Sequence, residues 1–219
     1  GAWRPRQWPR SRNVYQDDAL AFPNTPVLDS FNRANEGPPP SANWSTMRGT
    51  GHTVLSNQMA PNANAVQGSS WSVLRFDRDQ ECRFTAAVLD SPNQGHNVYL
   101  RVQTATNGDS DHYEVDFERQ IGNDKVAVWK EVATVYTQLG ADIDLGGELA
   151  AGDQFGASVT GSTIEVWYNN VSQGTRTDSE VSGTGFIGIV SGTDVPRFDD
   201  FGGGDQSLLT ISRSHVSVP

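Results

Sequence analysis

The chain has 219 residues and a formal net charge of −10 at pH 7, and 36% of its residues are hydrophobic. This length fits one large β domain or two small ones. The acidic balance would repel phosphate and argues against nucleic acid as a partner. No apolar run is long enough to predict a membrane span, and residues 1–26 lack the apolar core of a signal peptide.

Residues 1–26 are predicted to form an extended docking arm. Proline recurs through this segment and breaks any helical period, yet the segment carries tryptophans that are costly to leave in water. We therefore expect the arm to dock on its own domain or on another subunit, with its positive charge complementing the acidic body. The residues expected to make this contact are Trp3, Arg4, Arg6, Trp8, Arg10 and Arg12.

After Pro26 the chain has the pattern of short strands separated by turns rich in Gly, Asn, Asp, Ser and Pro. No segment keeps a 3.6-residue period over ten residues, and the links are too short for helical crossovers. Residues 207–219 form a tail that is apolar enough to add a strand to this chain or to a neighbour. The predicted strands are 27–32, 52–60, 70–76, 81–90, 97–105, 112–120, 125–132, 154–160, 163–169, 184–191 and 196–201, with an irregular strand within 134–145.

The sequence therefore predicts an all-β fold, an antiparallel two-sheet jelly-roll sandwich with under a tenth of its residues in helix. A two-residue turn at Gly161–Ser162 would join two of its strands into a hairpin.

The two ends of the predicted domain, residues 27–206, carry a family resemblance. Residues 28–34 read LDSFNRA and are followed by Asn43-Trp44, while residues 197–204 read RFDDFGGG. This pairing resembles concanavalin A-like (laminin-G-like) jelly-roll domains of bacteria and bacteriophages. It implies that the first and last strands pair and close the sandwich.

Structural roles are expected for the residues that carry this resemblance. Phe31 and Trp44 are predicted as core anchors. Asp29, Asn32 and Arg33 are expected to tie down one edge by hydrogen bonds. The glycines at 202–204 would let the chain leave the final strand.

Three carboxylates alternate with apolar residues in the predicted strand 112–120. Glu114, Asp116 and Glu118 would share one face of that strand. The pattern E-x-D-x-E resembles the signature of laminarinase-like retaining glycosidases, which implies Glu114 as nucleophile, Glu118 as acid/base and Asp116 as a modulator between them. The preceding residues 103–110 lack the aromatic substrate segment of that family.

The alternative interpretation of the carboxylate row is a solvated strand face without catalytic residues. Neighbouring strands could then balance its charge through Arg101, Arg119 or Lys130.

Trp129 and Trp167 are out of step with their apolar neighbours, so they are candidate platforms for glycan stacking. No zinc, EF-hand or nucleotide motif is present and no cofactor is predicted, with calcium as the alternative through loop acids. These acids are Asp109, Asp111, Asp194, Asp199, Asp200 and Asp205.

The two adhesive ends and the resemblance together favour a non-enzymatic bacteriophage virion protein, decorating a capsid or associated with a tail and assembled in the host cytoplasm. Its expected partners are other virion proteins or copies of itself, with a host-surface glycan as a further ligand. The alternative is a secreted bacterial carbohydrate-binding module, or a glycoside hydrolase that uses Glu114, Asp116 and Glu118.

Overall fold

The computed structural model describes residues 22–206, and this part of the chain consists of strands, turns and loops without a helix. The predicted all-β fold class is therefore confirmed. None of the described residues forms a helix that could cross a membrane. The strands are β1 Val27–Asp29, β2 Trp44–Arg48, β3 His52–Leu55, β4 Gln58–Pro61, β5 Gln67–Phe76, β6 Gln80–Val88, β7 Gly95–Val102, β8 His112–Glu118, β9 Lys125–Val132, β10 Val135–Gln138, β11 Ile143–Asp144, β12 Gln154–Thr160, β13 Thr163–Tyr168, β14 Val171–Thr177, β15 Gly185–Ser191 and β16 Arg197–Asp205.

The strands form two antiparallel sheets of eight strands each. The first sheet has the order β14-β13-β12-β6-β16-β4-β3, with β1 on β16, and the second has the order β10-β9-β8-β7-β15-β5-β2, with β11 on β9. Val27 pairs with Gly202, so the first and last strands lie side by side as expected. The Gly161–Ser162 turn is also confirmed, because Thr160 pairs with Thr163 across it.

The core lies between the two sheets and is rich in aromatic side chains. Phe117 of β8 stacks on Phe155 of β12 with ring centroids 4.8 Å apart, which joins the two sheets directly. Phe31 and Trp44 are buried, and Trp44 contacts Phe201 of the last strand at 4.6 Å. Both predicted aromatic anchors therefore belong to the core.

Asp29 organises the edge near the first strand. Its carboxylate accepts hydrogen bonds from the Trp44 indole Nε1 at 2.9 Å, from the Phe31 backbone N at 2.9 Å and from the Arg33 guanidinium. The predicted hydrogen-bonded edge is present for Asp29 and Arg33, whereas Asn32 is exposed. Phe31 has a φ of 52°, an unusual backbone conformation for a non-glycine residue, and the bond to Asp29 holds it there.

Several predicted strand boundaries were wrong. Residues 52–60 form the hairpin of β3 and β4 rather than one strand, because Ser56 and Asn57 turn the chain with φ of 53° and 63°. Strands β2 and β14 were not predicted. The glycines at 202–204 do not leave the last strand but pair with β6 inside it.

Residues 22–25 cross the outer face of the first sheet of their own chain. Phe22 stacks on Trp167 with centroids 4.8 Å apart and planes 3° from parallel. Glu81 Oε1 accepts hydrogen bonds from Thr25 N at 2.9 Å and Thr25 Oγ1 at 2.6 Å, and Arg83 donates to the Thr25 carbonyl. The last residues of the predicted arm therefore contact this chain. The arm residues between Trp3 and Arg12, and the tail 207–219, lie outside the described residues.

Candidate functional site

A cavity of about 440 Å³ opens on the outward face of the second sheet. Five neighbouring or converging strands supply its polar and aromatic lining, namely β2, β7, β8, β9 and β10. The polar side chains are Arg48, Asn97, Glu114 and Asp116, and the aromatic ones are Tyr99, Trp129 and Tyr136. Small residues, including Gly95 and Gly192, line the remainder beside Val66 and Val190.

The alternation of β8 brings its carboxylates to this face. Tyr113, Val115 and Phe117 are fully buried in the core, so Glu114 and Asp116 face the other way and line the cavity. The strand register places Glu114 between Tyr99 of β7 and Trp129 of β9, and it places Asp116 opposite Asn97. Directly opposed residues on one face of a sheet are close enough to interact.

A hydrogen bond from Asn97 holds Glu114 in place. Asn97 Nδ2 donates to Glu114 Oε1, and both residues are buried. His112 Nε2 lies 3.9 Å from Glu114 Oε2. The His112 ring is itself oriented by a 2.6 Å contact of Nδ1 with the Ser110 carbonyl and by stacking on Tyr99 at 4.1 Å.

Asp116 is the most perturbed acid of the cavity. Its Oδ1 is buried and has no hydrogen-bond partner in the described part of the chain. Burial raises the pKa of Asp116 well above its usual value, and the negative charges of Glu114 and Glu118 raise it further. Gly95 makes room for this carboxyl, because a Cβ at that position would lie 1.9 Å from Asp116 Oδ1.

Glu118, the third acid of the motif, is held by charged and polar neighbours. It lies 3.4 Å from Lys125 Nζ and accepts a hydrogen bond of 2.8 Å from Gln120 Nε2. It is not part of the cavity lining. The structure therefore brings Glu114 and Asp116 together in the cavity and places Glu118 beside it.

The basic residues expected to balance this face lie elsewhere. Lys130 binds Asp178 at 2.6 Å, Arg119 donates to the Asp90 carbonyl, and Arg101 is buried and donates to main-chain carbonyls. That expectation was wrong. The backbone turns and the alternation along the strands point these three side chains away from the cavity face. Lys125 lies beside the carboxylates instead.

Arg48 forms one wall of the cavity, and Nη2 of its guanidinium makes three protein contacts, whereas its Nε is buried without a hydrogen-bond partner among residues 22–206. Nη2 donates to Glu131 Oε2 at 2.9 Å, to the Gly108 carbonyl at 2.6 Å and to the Tyr136 hydroxyl at 2.7 Å. The guanidinium also lies 5.7 Å from the centre of the Tyr136 ring. Arg48 thereby fixes the aromatic side chain at the mouth of the cavity.

The two tryptophans proposed as stacking platforms lie in different sheets. Trp129 lines the cavity, whereas Trp167 belongs to the first sheet, stacks on Phe22 and donates from Nε1 to Ser158. Nothing in the sequence singled out Arg48, Asn97 or Tyr136. Only the strict alternation along β7 could have placed Asn97 and Tyr99 on a face opposite the core.

Within residues 22–206, no group of three or more His, Cys, Asp or Glu side chains is placed to hold a metal ion. Several of the loop acids considered for calcium instead accept hydrogen bonds from backbone amides. Asp111 accepts from Ala133, Asp199 from Asp200, and Asp205 from Asp77. This is the usual role of aspartate in turns.

Comparison with known proteins identifies no matching family model and no matching curated sequence. Solved structures do match. The carbohydrate-binding module CBM66 from Bacillus subtilis superposes with a TM-score of 0.59 at 13% identity, over 74% of this chain and 96% of that one. The β-glucanase of Bacillus licheniformis gives 0.56 at 10% identity, over 82% and 97% of the two chains.

A carbohydrate recognition domain shares the same architecture. The carbohydrate recognition domain of Emp47p superposes with a TM-score of 0.55 at 14% identity, over 82% of this chain and 92% of that one. Identities this low establish the fold and nothing finer. The chain has the concanavalin A-like jelly-roll sandwich, the fold that carbohydrate-binding modules, lectins and glycoside hydrolases share.

Proposed function

We propose that this domain binds a glycan in the cavity of the second sheet, without cleaving it. The observation that carries the proposal is the convergence of the Trp129 and Tyr136 rings with the polar groups of Asn97, Glu114 and Asp116 around one open cavity. Saccharide rings offer apolar faces for aromatic stacking and hydroxyl groups for directional hydrogen bonds. A cavity with both kinds of group is suited to such a ligand.

The fold raises the expectation of a glycan ligand. CBM66 is named as a carbohydrate-binding module, and the Emp47p domain is named as a carbohydrate recognition domain. Fold alone does not assign function, so the argument depends on the cavity residues.

The test is calorimetric titration of the protein with β-1,3- and β-1,4-linked glucans and galactans. We expect the wild-type protein to bind at least one of them, and Trp129→Ala to weaken that binding at least tenfold. Trp167→Ala is the matched control, because it makes the same chemical change on the opposite sheet and should bind normally. A Trp129→Ala variant that is folded and binds like the wild type would refute the proposal.

A retaining glycoside hydrolase is the second candidate, favoured by the cavity position of Glu114 and Asp116 within the E-x-D-x-E motif. Retaining hydrolysis needs two carboxyl groups about 5–5.5 Å apart at the scissile bond. Glu118 is bound by Lys125 and Gln120 and is not part of the lining, which supports binding without turnover. New reducing ends that appear with the wild type and vanish in both Glu114→Gln and Glu118→Gln would establish the hydrolase instead.

Attachment to a bacteriophage virion, with assembly in a host cytoplasm, stays a prediction. It depends on the terminal segments 1–21 and 207–219, which lie outside the described residues. The features of the sandwich support a carbohydrate-binding protein more directly than a virion component. The oligomeric or particle state of the protein purified from its natural source would test the prediction.

A further inference from the structure

Two acceptor oxygens without partners converge over a glycine in the cavity. Asn97 donates from Nδ2 to Glu114, and this bond turns its Oδ1 toward the other side of the side chain. Within residues 22–206, neither Asn97 Oδ1 nor Asp116 Oδ1 has a hydrogen-bond partner, although both atoms are buried. They lie 2.7 Å and 1.9 Å from the point that a Cβ on Gly95 would occupy.

Buried polar atoms are nearly always hydrogen-bonded in folded proteins, and leaving them unpaired is costly. Asn97 is nine-tenths buried and lines the cavity together with Asp116 and Gly95. A donor brought by a ligand would satisfy both oxygens. The raised pKa of Asp116 agrees with this, because a neutral carboxyl group can also donate to a ligand oxygen.

The charges around the cavity restrict the ligand further. Among the described residues that line it, Arg48 is the one cationic side chain, and its Nη2 already bonds Glu131, Gly108 and Tyr136. The carboxylic acids of the lining are Glu114 and Asp116. The charge of Arg48 is already paired with the buried Glu131 carboxylate, so an anionic ligand would meet the Glu114 carboxylate without gaining an unpaired cation, in a protein whose net charge is −10.

We propose that Asn97 and Asp116, above Gly95, form a hydroxyl-binding subsite for an uncharged saccharide, and that the cavity discriminates against uronic-acid and sulfated glycans. This inference rests on the proposed glycan-binding function and names the class of glycan.

The ligand test compares the neutral and the oxidised form of each oligosaccharide. The probes are β-1,3- and β-1,4-linked glucohexaoses and the corresponding galactohexaoses, each also prepared with C6 oxidised to uronic acid, titrated at 20 mM and 300 mM NaCl. We expect a neutral hexaose to bind with an affinity that salt does not change. The oxidised form should bind at least tenfold more weakly at low salt, and this gap should narrow at high salt because repulsion is screened.

The subsite test compares the same glycine-to-alanine change inside and outside the cavity, together with a change of Asn97. Gly95→Ala puts a Cβ 1.9 Å from the position of Asp116 Oδ1, so it should displace that carboxyl and weaken binding of the neutral hexaose at least tenfold. Gly147→Ala is the control, because no atom of residues 22–206 outside its chain neighbours lies within 4 Å of a Cβ at that position. Asn97→Ala removes one acceptor and should also weaken binding.

The possible results distinguish the neutral glycan class and the subsite from glycan binding itself. Equal or tighter binding of the oxidised hexaose at low salt would overturn the neutral class while leaving glycan binding intact. Folded Gly95→Ala and Asn97→Ala variants that bind like the wild type would overturn the subsite. If no hexaose of either charge binds, the proposed function fails together with this inference.

Discussion

Replacement of Arg48 by methionine would break the ion pair beneath the cavity wall. Arg48 Nη2 lies 2.9 Å from Glu131 Oε2, and the Glu131 side chain retains only 2% of its exposed surface. Methionine keeps an unbranched stem out to the position of Arg Nε but has no guanidinium group and no charge. The substitution therefore leaves the Glu131 carboxylate buried without its cation.

The size of the effect follows from this burial. Removal of one partner of a buried ion pair costs about 3–5 kcal/mol of folding free energy. Arg48 keeps 22% of its side-chain exposure, so water already weakens the pair and we expect the lower end, about 3 kcal/mol. With a urea slope of about 2–3 kcal/mol per molar, the unfolding midpoint should fall by roughly 1–1.5 M.

A second substitution checks the cause. Glu131→Gln in the Arg48→Met background removes the uncompensated charge and should restore about 2 kcal/mol of the loss. Arg78→Met is the matched control, because that side chain is 71% exposed and its loss should cost less than about 0.5 kcal/mol. The assay is urea unfolding at pH 7 followed by tryptophan fluorescence, without ligand.

The unpaired-charge explanation would be refuted if Arg48→Met shifted the unfolding midpoint no more than Arg78→Met. It would also fail if the double variant were no more stable than the single one, because the cost would then come from lost packing rather than from an unpaired charge.

Two further outcomes are expected. Because burial and neighbouring charge raise the pKa of Asp116, the native state holds this proton more tightly than the unfolded chain does. The resulting stabilisation is complete below the ordinary carboxyl pKa of about 3.9 and is lost as the pH rises through the raised value. Between pH 4 and pH 8, the free energy of unfolding of Asp116→Asn should therefore fall less than that of the wild type, as measured by urea titrations at each pH. The same dependence of unfolding free energy on pH in both proteins would contradict the raised pKa. Phe22→Ala should lower stability by about 3 kcal/mol, because Phe22 is buried and stacked on Trp167. Ile121→Ala, at a side chain that is 89% exposed, should be neutral, and equal stability of the two variants would show that Phe22 does not dock on its own sheet in solution.

The sequence by itself was sufficient for the fold class and for the division of β8 into two faces. Alternating side chains point to opposite sides of any strand, so the carboxylates had to oppose Tyr113, Val115 and Phe117. The pairing of the first and last strands followed from the family resemblance at the two ends of the chain. These features depend on local pattern or on recognisable motifs, and both can be read along one chain.

Strands without such a pattern were missed for a physical reason. Strand β14 is an edge strand whose side chains are largely polar and solvent-accessible, so no apolar alternation marks it. The turn before it, at Asn169 and Asn170, uses positive φ without glycine, as does the Ser56–Asn57 turn between β3 and β4. Neither turn carries the glycine that usually signals a tight hairpin.

Only the tertiary structure decided which residues share the cavity. Asn97 meets Glu114 from 17 residues away, and Arg48 meets Tyr136 from 88 residues away, because strand order and register bring these positions together. Alternation tells which face a side chain occupies but not which strand lies beside it. The same order placed Trp129 in the cavity and Trp167 on the opposite sheet, although the two tryptophans looked alike in the sequence.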